Sequence, residues 1–311
     1  MSTSWVAASV RARAMSRRRL GAAGARALAA LPDLPAAVDR LAATSYGHDV
    51  RAGQDLAAAQ HAAAATALWH LRVLGGWVPH GDASVLRVLA GAFEIADVDE
   101  RLRELAGRST APPFRLGALA VVSTRIPQAR SAADLRLLLA RSAWGDPGGD
   151  DPATVRRGMR LSWARRVAAV VPHAHPWAAG AAALLVAREY VLAGRRPSAQ
   201  ELRTCAALLG DGWVGSRSVG ALSRALPAEA RWPLADVTEP DGLWRAEALW
   251  WARVERDGFA LMRRPLTGPE VVVGAVAVLG VDAWRVRAAL EVAARTAALG
   301  PTALEAFDAV A

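Results

Sequence analysis

Apolar residues recur along this chain at intervals of three and four, and strict alternation of apolar and polar positions is scarce. Over residues 82–106, Val85, Val88, Leu89, Ala92, Phe93 and Ala96 form one stripe on a helical period, with Asp82 in the N-cap position and Gly107 as the stop. Ser198 and Glu201 spell a capping box ahead of a helix that Gly210 ends. The same periodicity predicts helices over residues 5–30, 35–44, 56–74, 131–141, 152–171, 177–193, 242–262 and 269–298. The fold class that follows is all-α.

Gly and Pro clusters separate these helices at residues 75–81, 109–113, 145–152, 210–220 and 231–242. Residues 33–47 align without a gap on residues 131–145, each giving a polar cap, a short helix and an aromatic-Gly stop: Asp33 with Tyr46-Gly47, and Ser131 with Trp144-Gly145. Leu105-Ala-Gly-Arg108 recurs as Leu192-Ala-Gly-Arg195, and Arg101-Leu-Arg103 as Arg285-Val-Arg287. A period of about 90 to 100 residues predicts three related helical lobes, residues 1–108, 109–205 and 206–311.

Composition narrows the chemistry. The 311 residues are 53% hydrophobic, ample for a core, and carry a formal net charge of +9. Arg supplies all 38 positive charges, because the chain has no Lys, and it has no Asn either. A chain without Lys cannot hold a phosphate-loop Lys, a Schiff-base Lys or a Ser-x-x-Lys pair. The Arg excess beside missing Lys and Asn reads as the imprint of a GC-rich genome rather than as a binding signal. The single Cys, Cys205, can form no internal disulfide, sits among Ala and Leu and reads as an inert packed thiol in a cytoplasmic protein. Ser16-Arg-Arg-Arg-Leu20 has a twin-arginine look, but Arg26, Asp33 and Asp39 follow at once, which speaks against an export leader. The apolar runs at 178–187 and 271–281 are too short to span a bilayer.

Candidate chemical groups are few. Gly210-Asp-Gly212-Trp-Val-Gly215 spells a dinucleotide-binding motif, yet it follows a helix where that motif needs a strand, so it reads as a loop. Among His48, His61, His70, His80, His173 and His175 no pair has metal-ligand helical spacing; His173 and His175 read as loop residues, with Cys205 the one conceivable further ligand. His61 and His70 read as surface or boundary residues. Asp97, Asp99, Glu100 and Glu104 have the chemistry of a cation site, but Arg101, Arg103 and Arg108 interleave with them and predict a solvated face of local ion pairs. No catalytic, cofactor or metal constellation emerges. The densest cluster, Arg11, Arg13, Arg17, Arg18 and Arg19 on the first helix, is the partner-interface candidate for acidic proteins, anionic headgroups or nucleic-acid phosphates. Trp244, Trp250, Trp251 and Trp284 are expected to pack the last two long helices together.

Taken in order, several segments resemble the C-type rotor subunit of the V-type and archaeal-type rotary ATPases, the d-type in eukaryotes. They are Trp5-Val-Ala-Ala-Ser-Val-Arg-Ala-Arg-Ala-Met-Ser-Arg-Arg-Arg-Leu20, Thr44-Ser-Tyr-Gly47, residues 97–108, Leu116-Gly-Ala-Leu119 and residues 268–287, which begin Gly268-Pro-Glu and end Trp284-Arg-Val-Arg287. Glu100 and Trp284 stand where that family usually has Asn. The resemblance implies a threefold helical repeat closing into a funnel. It also implies a non-catalytic rotor part, peripheral on the cytoplasmic face of a membrane, that joins the central-shaft subunits to the proton- or sodium-carrying ring and binds no nucleotide itself. The alternative left by the residues alone is an Arg-rich helical protein that binds nucleic acid.

Overall fold

Among the described residues, side-chain oxygens open six of the α-helices. Asp33 Oδ1 accepts from the Ala36 N–H at 2.9 Å ahead of α3 (Leu34–Ala42), Asp55 from Ala58 at 2.8 Å ahead of α4 (Leu56–Gly75), and Asp151 from Thr154 at 2.9 Å ahead of α8 (Pro152–Val170). Ser131 caps α7 (Ala132–Ala140), and Ser218 caps α11 (Val219–Ala225). At α10 (Ala199–Leu209) both halves of the expected Ser198–Glu201 capping box are formed, and Gly210, at φ +67°, ends the helix.

The computed structural model describes residues 5–237, 239–264 and 267–299, and among them every regular element is helical. Two expected helices are broken. The first divides into α1 (Val6–Ser16) and α2 (Gly21–Ala29), because Gly21 takes a positive φ that no helix continues through. The second divides into α5 (Ala83–Leu89) and α6 (Gly91–Leu105), so the stripe expected across the break is buried only in part: Val88 is buried and Ala92 exposed, while Ile95, Val98 and Leu102 face the core. Asp82 lies in a 3-10 turn, His80–Asp82. The helix expected over 177–193 is α9 (His175–Val186), prolonged by a π-turn at Ala187–Leu192. The short α11 and α12 (Ala228–Arg231) were not predicted, since Gly and Pro flank both. The last long helices are α13 (Leu243–Arg263) and α14 (Pro269–Leu299).

Packing divides the chain into two compact units, the described residues of Met1–Ala83 with Trp251–Ala311, and Ser84–Trp250. These boundaries differ from those of the three expected lobes, and residues 300–311 of the third lobe lie outside the described residues. In the first unit α14 is central, packing on α1, α2, α3 and α4, with Val281, Val286, Ala289 and Leu290 in its buried rows. Gly258 and Gly274 let α13 and α14 approach backbone to backbone: a Cβ on Gly274 would stand 2.5 Å from the Gly258 carbonyl oxygen. Trp251 stacks on Trp284 at 5.2 Å, as expected, and Arg285 forks onto Glu255 beside them. Trp250 instead bonds the Trp177 carbonyl, and Trp244 is 42% exposed.

The second unit gathers Ile95, Val98, Val122, Leu135, Leu139, Trp144 and Met159 into one core. Gly91 is the contact point where the rings of Trp144 and Trp163 meet α6, and the Trp163 indole N–H donates to the Val88 carbonyl at 2.7 Å.

One local module occurs in both units. Thr44 Oγ1 donates to the Leu41 carbonyl and accepts from the Tyr46 N–H; Ser142 Oγ does the same with Leu139 and Trp144. The aromatic is then buried and reaches a buried carboxylate: Tyr46 Oη donates to Asp282 at 2.8 Å, and Trp144 Nε1 to Glu94 at 2.7 Å. Those carboxylates also collect backbone N–H groups, Leu20 and Gly21 on Asp282, and Val121, Val122 and Ser123 on Glu94. The aligned segments of the sequence therefore fold alike down to their hydrogen bonds.

Gly91→Ala would place a Cβ 2.7 Å from the Trp163 ring. It is expected to cost about 1–3 kcal/mol as the two rings shift. Gly280, helical and with nothing within 4 Å of its added Cβ, should gain about 0.5–1 kcal/mol on Gly280→Ala. Urea denaturation of the two variants checks both signs.

Candidate functional site

The five Arg residues do not share the single helix expected: Arg11 and Arg13 are on α1, and Arg17, Arg18 and Arg19 lie in the turn after it, where like charges repel unless carbonyls, rings or partners receive them. Two of the five are absorbed by the fold. Arg13 donates from Nε to the Met262 carbonyl at 3.1 Å and from Nη2 to the Arg264 carbonyl at 2.9 Å, placing its charge at the negative end of α13. Arg19 bonds the Ser16 carbonyl and lies over the Phe259 ring at 4.7 Å. Arg11, Arg17 and Arg18 are exposed, and so are Val6 and Val10, which share α1 with Arg11. Of the predicted cluster, the outward set is thus Arg11, Arg17 and Arg18, beside a small apolar patch.

The acidic run of α6 forms the expected local ion pairs, Glu100 with Arg103 and Glu104 with Arg101, but only part of it is solvated. Asp97 is 4% exposed, and its Oδ1 accepts the Phe114 N–H at 2.8 Å. Glu100 accepts the Ala111 N–H and pairs with Arg103, Glu104 pairs with Arg101, and Asp99 pairs with Arg156. With Glu94 on Val121 to Ser123, the acids of α6 pin the irregular segment that follows the helix. Arg101 completes the fastening from the other side, donating from Nε and Nη2 to the Ala129 carbonyl. No group of three or more metal-binding side chains converges among the described residues. Burial raises the Asp97 pKa to about 7, with Glu94 and Glu100 adding to it and the Phe114 N–H opposing.

The other candidates resolve one by one. His70 is buried in α4 rather than at the surface; burial, then the neighbouring His48 and Arg18 charges, lowers its pKa to about 4, so it packs as a neutral ring. His48 stacks on Trp69 at 4.3 Å and bonds Asp49, which also accepts from Thr66. His173 lies in the 3-10 turn Pro172–Ala174, His175 opens α9 and faces Glu229 at 3.8 Å, and the His80 side chain lies outside the described residues. Cys205 is fully buried, and burial with the Glu201 charge raises its thiol to about 12. Residues 210–215 form a loop after α10, with φ positive at Gly210 and Gly215.

Sequence reasoning missed Asp282 and Glu94, and it missed Arg157. The Arg157 guanidinium bonds Glu201 at 3.0 Å and Thr154 at 2.9 Å inside the second unit. The available signal was a lone acid in an apolar helix, as Asp282 is between Val281 and Ala283. Compared with protein-family models and with curated proteins, the chain matches none.

Because the folded Asp97 pKa lies above the ordinary carboxylate value, its proton is held more tightly in the native state. That contribution is complete below about pH 4 and is lost as pH rises through about 7. Asp97→Asn keeps an acceptor for Phe114 without the charge. The variant's stability relative to the parent should therefore improve by on the order of 1–3 kcal/mol between pH 5 and pH 8. Urea titrations at the two pH values measure it, and an unchanged difference contradicts the assignment.

Proposed function

We propose that this protein is the non-catalytic rotor adapter of a V-type or archaeal-type ATPase or ATP synthase, seated on the cytoplasmic face of the membrane between the central shaft and the ion-carrying ring. The observation that carries this reading is the recurrence of one module. The capped short helix, its hydroxyl-bonded turn and its buried aromatic occur at residues 33–46 and again at 131–144. A third capped short helix, α11, follows Ser218. Its Leu226 is buried eight residues after the cap, as Leu41 and Leu139 are, and Trp232 then donates its indole N–H to the Pro176 carbonyl. The two full modules, and this third capped helix with Glu229 in place of the turn hydroxyl and its Trp one residue later, are what supports the threefold helical repeat that the family resemblance implies.

The physical requirements of torque transfer agree with the residues. A part that carries torque needs helices tied by stiff contacts, and the α13–α14 glycine crossing, the buried Arg157–Glu201 pair and the Asp282 and Glu94 clamps supply them. Arg11, Arg17 and Arg18 offer an outward basic face for acidic shaft residues or anionic headgroups. No helix among the described residues is long and apolar enough to cross a membrane, so in this reading the ring is met at its surface.

Deleting the gene should leave ATP hydrolysis by the detached head intact while abolishing ATP-driven ion uptake by membrane vesicles, and added protein should restore uptake. Tight, steeply salt-dependent binding to duplex DNA, with no association with shaft or ring subunits, would instead establish the nucleic-acid alternative.

A further inference from the structure

A groove opens on the Ser84–Trp250 unit where α5, the segment after the Gly117–Leu119 turn and α8 meet. Ser84, Arg87 and Val88 line it from α5, Ala120 and Val121 from that segment, Ala143 from the turn after α7, and Arg166 and Val170 from α8, around about 510 Å³. Most of this lining is apolar, and Val170 is 39% exposed at its edge. The charged groups in the lining are the two guanidinium groups, Arg87 and Arg166.

Arg166 is the unusual member. Its guanidinium lies over the Trp144 ring at 4.7 Å; its Nη1 is shielded there with no hydrogen-bond partner, and since the residue is only half-buried an incoming acid meets the rest of the side chain. Glu94, whose charge favours the guanidinium, forms no ion pair with it. Glu94 Oε1 already accepts three backbone N–H groups, and its Oε2 accepts the Trp144 indole. Arg165, next in sequence, adds a repelling charge. The local balance is therefore basic, with a guanidinium whose hydrogen bonding the unit leaves incomplete.

We propose that this groove docks a segment of a partner protein that presents a carboxylate beside apolar side chains, the acid taken by Arg166 and Arg87 and the apolar groups by Val121 and Val170. A guanidinium fork and a carboxylate match in geometry and charge. An apolar lining is of no use to a nucleic-acid phosphate backbone, which is bound through its charge. Small-molecule sites enclose most of their ligand, whereas this groove lies open to solvent and leaves room for a chain to run across it. The small side chains of Ala120 and Ala143 permit the close approach of a helix. The inference goes beyond the adapter reading and does not rest on it.

The test is fluorescence anisotropy with the full chain and a labelled, acetylated and amidated helical peptide that carries Leu at positions i, i+3, i+4 and i+7 with Glu between them, beside a counterpart with Gln for every Glu. Micromolar binding of the Glu peptide is expected, with the Gln peptide at least about tenfold weaker. Arg87→Gln and Val170→Asp, both on the rim and away from the core, should each weaken binding by about fivefold or more with unchanged circular dichroism. Arg166→Gln should weaken it further, but its contact with Trp144 makes the two rim variants the decisive ones. Equal binding of the two peptides, binding indifferent to the rim variants, or no binding at millimolar peptide would overturn the proposal. So would displacement of the peptide by equimolar decanoate, which would assign the groove to a small amphiphilic acid. None of these outcomes bears on ion uptake by vesicles.

Discussion

A carboxylate buried in a helical core is tolerable only if donors surround it, and in this protein two such carboxylates set the arrangement of what lies around them. Asp282, 1% exposed, stands in the apolar helix α14 and collects the N–H groups of Leu20 and Gly21 with the hydroxyl of Tyr46. Glu94, equally buried in α6, collects Val121, Val122 and Ser123 with the indole of Trp144. An ionised carboxylate has room for about four donors, which no neutral side chain matches, and each charge-assisted bond is stronger than its neutral counterpart. Each acid therefore ties a chain reversal to a long helix and to the aromatic that ends a short one. Desolvation then penalises any rearrangement that leaves the charge unpaired. The burial of Tyr46 beside Asp282 raises its phenol well above the usual range, so it remains a donor.

Much of this architecture is legible in the sequence because its signals are local. Caps at Asp33, Ser131 and Ser198 act within one turn, and each is found at its helix, whereas Asp82, expected as an N-cap, lies in a 3-10 turn. The alignment of residues 33–47 on 131–145 also survives, since a cap, a hydroxyl and an aromatic at fixed offsets specify one turn geometry. What escaped were properties set by distant neighbours. Whether α6 turns Phe93 or Ile95 inward depends on the break at Ala90 and on what packs beside it, and the periodic stripe carried across that break could not register the change. His70 looks like a surface residue by spacing, yet α4 buries it. Asp97 looks like part of a charged face, yet its partner is a backbone N–H seventeen residues on.

The candidate site was legible in part for the same reason. Composition explains why every cationic role falls to Arg, but it cannot say which guanidinium groups are structural. Arg13 ends a helix, Arg101 fastens the Ala129 carbonyl, and Arg157 and Arg285 pair inside the units, all uses that a planar fork serves better than an ammonium would. Among the Arg residues without such a role, Arg11, Arg17 and Arg18 on one unit and Arg87 and Arg166 on the other are gathered closely enough to meet an acidic partner, while others such as Arg40, Arg108 and Arg141 are exposed elsewhere. The basic charge of the chain thus divides into internal fasteners and an outward set.

Amide hydrogen exchange tests the carboxylate clamps most directly, read at the backbone they hold. Asp282→Ala should raise exchange at Leu20 and Gly21, and Glu94→Ala at Val121, Val122 and Ser123, by about tenfold or more for each bond of roughly 1.5–3 kcal/mol that is lost. Unchanged protection of those amides in both variants would contradict the account.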